Sequence, residues 1–324
     1  MNVGFLNLPV IKHFSKYFSL KPYLTNWALS KSDKKKVIIA YAMTATFTKL
    51  LRYVKKIDKN IITCLIVPDL PQYMNLSAKK RQIYTALKNI EINCIRSDMK
   101  YVDCYVLLTE YMRHALYLSV PYVVVEGMVE PDMQNVPNQL KNKHDEKIVL
   151  YAGALHEKYG VKKLIEAFSK LKMDNIRLWL YGSGEMVDEI TRFEKLDQRI
   201  SYFGALPNEL VVKEQIKTTL LVNPRSSSEE FTKYSFPSKN MEYMASGTPV
   251  LTTPLPGMPK EYYDYVYLFE DESVEGMAKT LQQVLSLPKE ELHAKGAAAK
   301  EFVLKEKNNF VQAKKIVDLI RRIG

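Results

Sequence analysis

The feature of this sequence that most constrains its fold is a regular alternation between short apolar, β-rich runs and segments with helical periodicity. In the second half, IRLWLY is typical of a buried strand, and GVKKLIEAFSKL repeats apolar residues every three and four positions. Strands that alternate with helices indicate an α/β fold with a parallel sheet covered by helices. The predicted strands of this half are Lys147–Tyr151, Ile176–Tyr181, Ile200–Phe203, Thr219–Val222, Pro249–Thr252 and Tyr265–Phe269.

The first half shows the same alternation and predicts a second α/β domain. Its longest predicted helix places Ile83, Leu87, Ile90 and Cys94 on one face. The segment 130–146 is polar, holds two prolines and has no period, so it is predicted to be a linker. The expected division is a domain at 1–129, this linker, a domain at 147–304 and a C-terminal helix at 305–324, with packing of that helix on the first domain left open. The predicted strands here are Val3–Leu6, Lys36–Ala42, Ile61–Val67, Cys104–Leu108 and Tyr122–Val125.

Positive charge is concentrated at one end of the chain. Residues 1–100 carry 18 Lys and Arg against 5 Asp and Glu, whereas the whole chain has a net charge of +11. One-sided charge attracts anionic partners, although a basic face exposed to water needs none. From Pro9 to Trp27, apolar residues interleave with lysines in a pattern that suits an anionic membrane surface or an amphipathic helix packed on a core. No nucleic-acid motif accompanies the charge, so nucleic acid is not expected as a partner.

Neither a membrane span nor an oxidising compartment is indicated. No apolar run approaches the roughly 18–20 residues of a spanning helix. The three cysteines suggest neither a disulfide framework nor a zinc site, and no signal peptide is evident. We therefore expect a cytoplasmic protein.

Two glycine turns follow predicted strands, at the positions where parallel α/β sheets bind phosphate. The turn YAGALHEKYG contains Gly153 and Lys158. The turn YGSGEMV contains Gly182 and Gly184, but Val187 stands where a dinucleotide fingerprint requires a third glycine. An NAD-dependent oxidoreductase is therefore disfavoured, and a tight structural turn is the common alternative.

A short and well-bounded helix is predicted within the stretch YSFPSKNMEYMASGTPVL. Pro237 suits its start, and Gly247 suits its left-handed end. The N–H groups of residues 238–240 would point out of the helix start toward an anion, with the side chains of Lys239 and Arg225 nearby in sequence.

One carboxylate, Glu242, lies a turn into this helix. It has no use in holding phosphate, but beside a phosphate site it could accept hydrogen bonds from a ribose diol. The stretch therefore favours a nucleotide-type ligand, with N–H groups and cations for its phosphates and a carboxylate for its sugar.

The order of these motifs resembles a known family. YAGAL…YGVKKLIEAF is followed by LWLYGSGE, YFGALPNELV and LLVNPR…FPSKNMEYMASGTPVL. This series is similar to the C-terminal domain of GT-B glycosyltransferases of family 4 (glycosyl transferases group 1), in particular those of bacterial capsule and exopolysaccharide biosynthesis. The likeness is strong over 147–324 and weaker in the first half. It implies a GT-B fold, with two Rossmann-like domains that face a cleft.

The resemblance implies a retaining glycosyltransferase that needs no metal or other cofactor. Such an enzyme would move a sugar from a nucleotide-diphosphate sugar, here a UDP-sugar, to a lipid-linked glycan at the inner face of the membrane. The resemblance assigns the ribose hydroxyls to Glu242. It assigns the pyrophosphate and donor sugar to Phe236–Lys239, which includes Ser238, and the base to the loop Gly204–Leu210, which includes Leu206.

The C-terminal half departs from the family pattern in two ways. The family commonly has a glutamate eight residues before Glu242, where this chain has Tyr234. Glu230 is a nearby carboxylate that could take this catalytic role if the loop is longer. The family's cations near the first glycine turn are also displaced, which leaves Lys158 and Arg225 as the candidates.

The first half departs further from its relatives. CLIVPDLPQY places Asp69 where many relatives have a histidine, so Asp69 is a candidate to orient or deprotonate the acceptor hydroxyl, with a turn or capping aspartate as the alternative. Relatives begin with β-α units that this chain is expected to lack, which implies an incomplete N-terminal domain. The alternative function is therefore a non-catalytic or partner-dependent nucleotide-sugar-binding subunit, with a companion chain supplying the missing units.

Overall fold

The computed structural model describes residues 4, 11–73 and 82–324 of the chain. These residues form two compact units. Unit 1 extends to Glu126 and also includes Ala313–Gly324, and unit 2 is Gly127–Gln312. The predicted strand Val3–Leu6 lies outside the described residues.

The helices and strands alternate along the chain as expected. The strands are β1 (Val37–Tyr41), β2 (Ile62–Val67), β3 (Cys104–Leu107), β4 (Tyr122–Val124), β5 (Lys147–Ala152), β6 (Ile176–Tyr181), β7 (Ile200–Tyr202), β8 (Leu220–Asn223), β9 (Val250–Thr252) and β10 (Tyr267–Leu268). The helices are α1 (Ile11–Leu29), α2 (Ala45–Ile57), α3 (Gln82–Asp98), α4 (Glu110–Ala115), α5 (Val161–Ser169), α6 (Val187–Leu196), α7 (Asn208–Lys217), α8 (Ser238–Ser246), α9 (Val274–Leu285), α10 (Lys289–Glu306) and α11 (Asn309–Ile323). Each predicted strand within the described residues is confirmed, with its ends shifted by two residues at most.

In unit 1 the described strands form a parallel sheet in the order β1-β2-β3-β4. Each strand pairs with the outer edge of the strand before it in sequence, so the strand order does not change direction within this sheet. Cys64 of β2 and Cys104 of β3 are register partners, and both pack against Leu319 of α11. The end of the C-terminal helix is therefore part of the core of unit 1.

The apolar face predicted for α3 is not a core face. Leu87 is 53% exposed and Ile90 is 60% exposed, and Cys94 is exposed as well. The buried side of this helix carries Ile95 and Asp98 instead. Asp98 is buried because its carboxylate accepts a 2.7 Å hydrogen bond from Arg52 of α2.

In unit 2 the sheet order is β10-β9-β8-β5-β6-β7, with parallel pairing throughout. Strands β5 to β7 are added in one direction, and β8 to β10 in the other. The direction of winding changes between β5 and β8. In open α/β sheets, ligands bind outside the carboxyl ends of the strands at such a switch point.

The segment predicted to be a linker belongs to unit 2. Asn138 donates hydrogen bonds to Ser246 O (2.9 Å) and to Thr248 Oγ1 (3.0 Å) at the end of α8. Lys300 of α10 donates to Val136 O. These bonds hold the segment 130–146 against two helices, so it is part of the packed unit.

Candidate functional site

The candidate site lies at the carboxyl ends of β5 and β8. Gly153 follows β5 directly, and Arg225 comes two residues after β8. The helix predicted to face a ligand is α8, which follows β8 and begins at Ser238 after Pro237. Its end at Gly247 is left-handed, with φ +78°, as predicted.

Buried polar side chains fix α8 to the ends of three strands. The Tyr243 hydroxyl accepts a 2.8 Å hydrogen bond from the N–H of Ala152 and donates to the Ala152 carbonyl at 3.1 Å. Asn223 Nδ2 donates to Asn240 Oδ1 at 2.7 Å, and Asn240 Nδ2 donates to Thr252 Oγ1 at 3.2 Å. The start of α8 is therefore held in a defined position over the switch point. No pattern in the sequence marks these residues, because their pairing depends on how α8 packs on the sheet.

The N-terminus of α8 offers fewer free N–H groups than predicted. The Asn240 N–H donates to Pro237 O at 2.9 Å, so the expectation that it faces an anion is wrong. The N–H groups of Ser238 and Lys239 come first in the helix, where a helix supplies no backbone acceptor of its own. Ser238 is exposed.

The side chain of Lys239 crosses the glycine turn after β5. A Cβ atom added to Gly153 would lie 2.7 Å from Lys239 Cε and 3.0 Å from the Tyr151 hydroxyl. Any side chain at this position would displace the lysine. Gly153 therefore allows a cation from α8 to lie over the switch point, and its own N–H is used in a 2.9 Å hydrogen bond to Tyr181 O.

Arg225 is a half-buried cation among aromatic rings, and its Nε atom is buried. Its guanidinium carbon lies 4.7 Å from the centre of the Tyr159 ring and 5.6 Å from that of Phe231. Burial lowers its pKa, and the ionisable groups that oppose this effect are Tyr159 and Tyr151 rather than a carboxylate. Within the described part of the chain, its Nε atom has no hydrogen-bond partner.

Lys158 lies on a short 3-10 turn that is packed against the loop of Arg225. Its Nζ is 5.2 Å from the centre of the Tyr159 ring. The turn ends at Gly160, where φ is +78° and an added Cβ would lie 1.9 Å from Pro224 O. This glycine lets the two loops touch, so Lys158 and Arg225 flank the same tyrosine.

Gly182 and Gly184 allow close packing of two loops. An added Cβ at Gly182 would lie 1.8 Å from Gly153 O, and one at Gly184 would lie 2.2 Å from Leu155 O. The Leu155 N–H donates to Ser183 O at 2.9 Å. The geometry of these glycines thus supports the structural alternative, in which they set the position of the turn that contains Gly153.

The Glu242 carboxylate accepts a hydrogen bond from a side chain of the neighbouring helix α7. Gln215 of α7 is fully buried, and its Nε2 donates a 2.7 Å hydrogen bond to Glu242 Oε1. As a residue, Glu242 is partly exposed. A ligand can therefore reach Glu242 from the solvent side, while the protein holds its other side.

The remaining donor-side candidates differ in exposure. Phe236 is buried in the core of unit 2, with its ring 5.0 Å from that of Tyr262, so its side chain is a packing group. Leu206 is 44% exposed in the loop after β7. At the start of this loop the Phe203 ring is stacked on Tyr181, at 4.9 Å and 12°.

The two catalytic candidates lie on exposed segments. Glu230 is exposed and begins a short 3-10 turn, Glu230–Tyr234. Asp69 follows β2 in unit 1 and is exposed as a residue. Protein atoms that displace water from part of its carboxyl group raise its pKa. The two residues belong to different units.

Each of the two α/β units is built on a parallel sheet, and cations lie at the point where the strand order of unit 2 changes direction. These features are typical of the GT-B class of fold. HepE of Anabaena, solved in complex with UDP, has a TM-score of 0.68 at 13% identity, over 98% of this chain and 85% of that one. Sucrose-phosphate synthase of Thermosynechococcus elongatus has a TM-score of 0.68 at 15% identity, over 100% of this chain and 82% of that one. The galactosyltransferase WaaB has a TM-score of 0.65 at 15% identity, over 98% and 82%. The predicted GT-B fold is confirmed.

The model of one protein family, Glycosyl transferases group 1, matches residues 132–302, which are more than half of the chain. The chain belongs to this family, as the motifs predicted. Among curated sequences, WcaI of Escherichia coli (strain K12), which is assigned to colanic acid biosynthesis as a glycosyl transferase, is 27% identical over 179 residues. That match spans 51% of this chain and 42% of WcaI, so it covers less than half of the relative's length.

Among the helices of residues 11–73 and 82–324, none is long and apolar enough to cross a membrane. Over the same residues, no group of three or more His, Cys, Asp or Glu side chains is placed to hold a metal ion.

Proposed function

We propose that this chain is a glycosyltransferase of surface polysaccharide biosynthesis, of the capsule type. It transfers a sugar, with retention of anomeric configuration, from a UDP-sugar bound in unit 2 to a lipid-linked glycan, and it uses no metal. Family membership and the likeness to WcaI support the reaction class. The HepE structure, which contains UDP, supports the choice of nucleotide.

The observation that carries this proposal is that the Arg225 guanidinium lies against aromatic rings and its Nε atom has no hydrogen-bond partner among the described residues. A half-buried cation among rings, with no ion pair to a carboxylate among the described residues, is costly to the free protein, and an anionic ligand offsets that cost. Lys239 reaches the same switch point from α8. Together they would stabilise the negative charge that develops on the diphosphate as the bond to the sugar breaks.

The other donor-side residues take roles that fit their positions. Glu242 accepts hydrogen bonds from the ribose hydroxyls, and the exposed loop around Leu206 lies against the base. Lys158 adds positive charge beside Tyr159. This division gives each part of a nucleoside diphosphate its own group of residues.

The acceptor side belongs to unit 1 in this proposal. Asp69 orients the acceptor hydroxyl or takes its proton, and its raised pKa makes its carboxylate a stronger base. The helix α1 exposes Phe18 (64%), Tyr23 (48%) and Leu29 (67%). Apolar and aromatic side chains next to a lysine-rich segment suit the inner face of an anionic membrane, where a lipid-linked glycan is presented.

The test is calorimetric titration of UDP, GDP and NAD into the wild type, Arg225→Met and Glu242→Ala. We expect the wild type to bind UDP, and each variant to bind it about 10- to 100-fold more weakly, which is the scale of one hydrogen bond to a charged group. The matched control is Arg199→Met, since Arg199 lies in the same unit and is paired with Asp197 at 2.7 Å. Failure of the folded wild type to bind UDP would refute the donor-site assignment.

Transfer itself requires a second assay with a UDP-sugar, membrane lipid extract and a chelator. Sugar incorporation into lipid that persists with the chelator supports metal-independent transfer. UDP binding without transfer under all conditions would instead support the partner-dependent subunit, in which a companion chain completes the acceptor side.

A further inference from the structure

Gln215 is placed to control the position of the Glu242 carboxylate. Its side chain is fully buried on α7, and its Nε2 donates to Glu242 Oε1 at 2.7 Å. An ionised carboxylate can only accept hydrogen bonds, so the amide must present its N–H to it. Donation from Nε2 fixes the orientation of the whole Gln215 amide group. The two side chains are 27 residues apart in sequence, so the fold brings them together.

The backbone of Gln215 is held as tightly as its side chain. Its carbonyl accepts hydrogen bonds from Thr248 Oγ1 at 2.7 Å and from Thr218 Oγ1 at 2.9 Å. Thr248 Oγ1 in turn accepts from Lys143 Nζ at 2.8 Å and from Asn138 Nδ2 at 3.0 Å. The segment before β5 thus fastens α7 to the end of α8, the helix that carries Glu242.

One atom of Gln215 has a cost to the stability of the fold. Its Oε1 is buried and has no hydrogen-bond partner among the described residues. A buried acceptor without a partner destabilises the folded state. An apolar side chain of similar length would remove that cost, but it could not donate the hydrogen bond that the amide gives to Glu242.

We propose that Gln215 is a positioning residue that sets the ribose selectivity of the donor site by holding Glu242 in one orientation. The inference rests on the proposed function, in which Glu242 accepts hydrogen bonds from the ribose hydroxyls. Gln215 holds one oxygen of the Glu242 carboxylate, so this side chain is already fixed in one rotamer before the ligand binds. The other oxygen is then presented to the ligand, and binding costs less side-chain entropy. Without the amide, Glu242 samples other rotamers, and the ribose hydroxyl loses its aligned acceptor.

The test compares UDP with 2′-deoxy-UDP in the wild type, Glu242→Ala and Gln215→Met. Methionine is similar in length to glutamine and lacks both the donor and the unpaired acceptor. We expect the wild type to prefer UDP, and Gln215→Met to lose about tenfold in UDP affinity while its affinity for 2′-deoxy-UDP changes by about twofold at most. Glu242→Ala should show the same loss of preference. The melting temperature of Gln215→Met should equal or exceed that of the wild type.

The matched control is Gln283→Met, the same substitution at an exposed position on α9, which should change neither affinity. If the wild type and Glu242→Ala differ in selectivity but Gln215→Met keeps the full preference for UDP, the positioning role is wrong. A fall in melting temperature with equal losses for both nucleotides would assign Gln215 a structural role and also overturn the proposal. If the wild type binds neither nucleotide, the donor site itself fails, and the inference fails with it for that separate reason.

Discussion

In unit 2, Arg225 and Lys143 are half-buried and lie against specific partners, whereas in unit 1 Lys31 and Lys34, which precede β1, are exposed. Arg225 lies among aromatic rings, and Lys143 donates to Thr218 O at 2.9 Å and to Thr248 Oγ1 at 2.8 Å. Lys31 and Lys34 are exposed to solvent. A half-buried cation acts on one ligand or one set of partners, whereas exposed cations act together through a field that salt screens. Substitutions should therefore have specific effects in unit 2 and additive effects in unit 1.

The helices of the two units show a parallel contrast. The apolar face of α5 is fully buried, with Leu164, Ile165 and Phe168 all at 0% exposure. On α3, Leu87 and Ile90 have a similar spacing but remain largely exposed. Periodicity identifies a helix and its apolar side in both cases, but it does not show whether another element covers that side.

The largest expected effect is a difference in the free energy of unfolding between matched substitutions on α5 and α3. Leu164→Ala should lower the free energy of unfolding by about 2–5 kcal/mol, because it removes a fully packed side chain and leaves a cavity. Leu87→Ala, the matched change on α3, should alter it by about 0.5 kcal/mol or less. Chemical denaturation of both variants measures the difference. A large loss from Leu87→Ala would show that its side chain is covered in solution, and the contrast between the helices would fail.

The sequence predicted the strands, the two α/β domains and the family, because these depend on local periodicity and on motifs in order. It also predicted the bounded helix that carries Glu242. It did not predict that Gln215 holds Glu242, or that the Asn240 N–H is used by Pro237. Such pairings depend on how elements pack, and no periodic signal marks them. The exposed face of α3 was missed for the same reason.

A smaller effect concerns Lys143, a half-buried lysine of unit 2. Burial lowers the pKa of Lys143 from its ordinary value of 10.5 to about 7. Between pH 7 and 10.5 the unfolded chain therefore binds a proton that the folded protein does not, so stability rises with pH in this window, by up to about 1.4 kcal/mol per pH unit. Below pH 7 both states are protonated and the contribution is flat.

Lys143→Met removes this dependence. The free energy of unfolding of the wild type minus that of the variant should increase from pH 7 to pH 10 and stay constant from pH 5.5 to 6.5. Urea denaturation at each pH measures it, and Lys195→Met, at an exposed lysine on α6, is the control. A difference that does not change between pH 7 and 10 would show that Lys143 keeps its ordinary pKa, which would place its amine in contact with water.

The smallest effect per residue is expected in unit 1, where exposed lysines face an anionic membrane in the proposed function. Lys31→Gln and Lys34→Gln should each weaken binding to phosphatidylglycerol vesicles by about 1 kcal/mol, or roughly fivefold, and the double variant by about the sum. The losses should shrink as salt rises from about 0.1 M to 1 M, because the Debye length falls from about 10 Å to 3 Å.

Lys195→Gln in unit 2 should have no effect. Co-sedimentation with these vesicles and with phosphatidylcholine vesicles measures both outcomes. Equal losses from the unit 1 and unit 2 lysines would mean that membrane binding is not directed by unit 1, and the contrast between specific and additive cations would then hold for unit 2 alone.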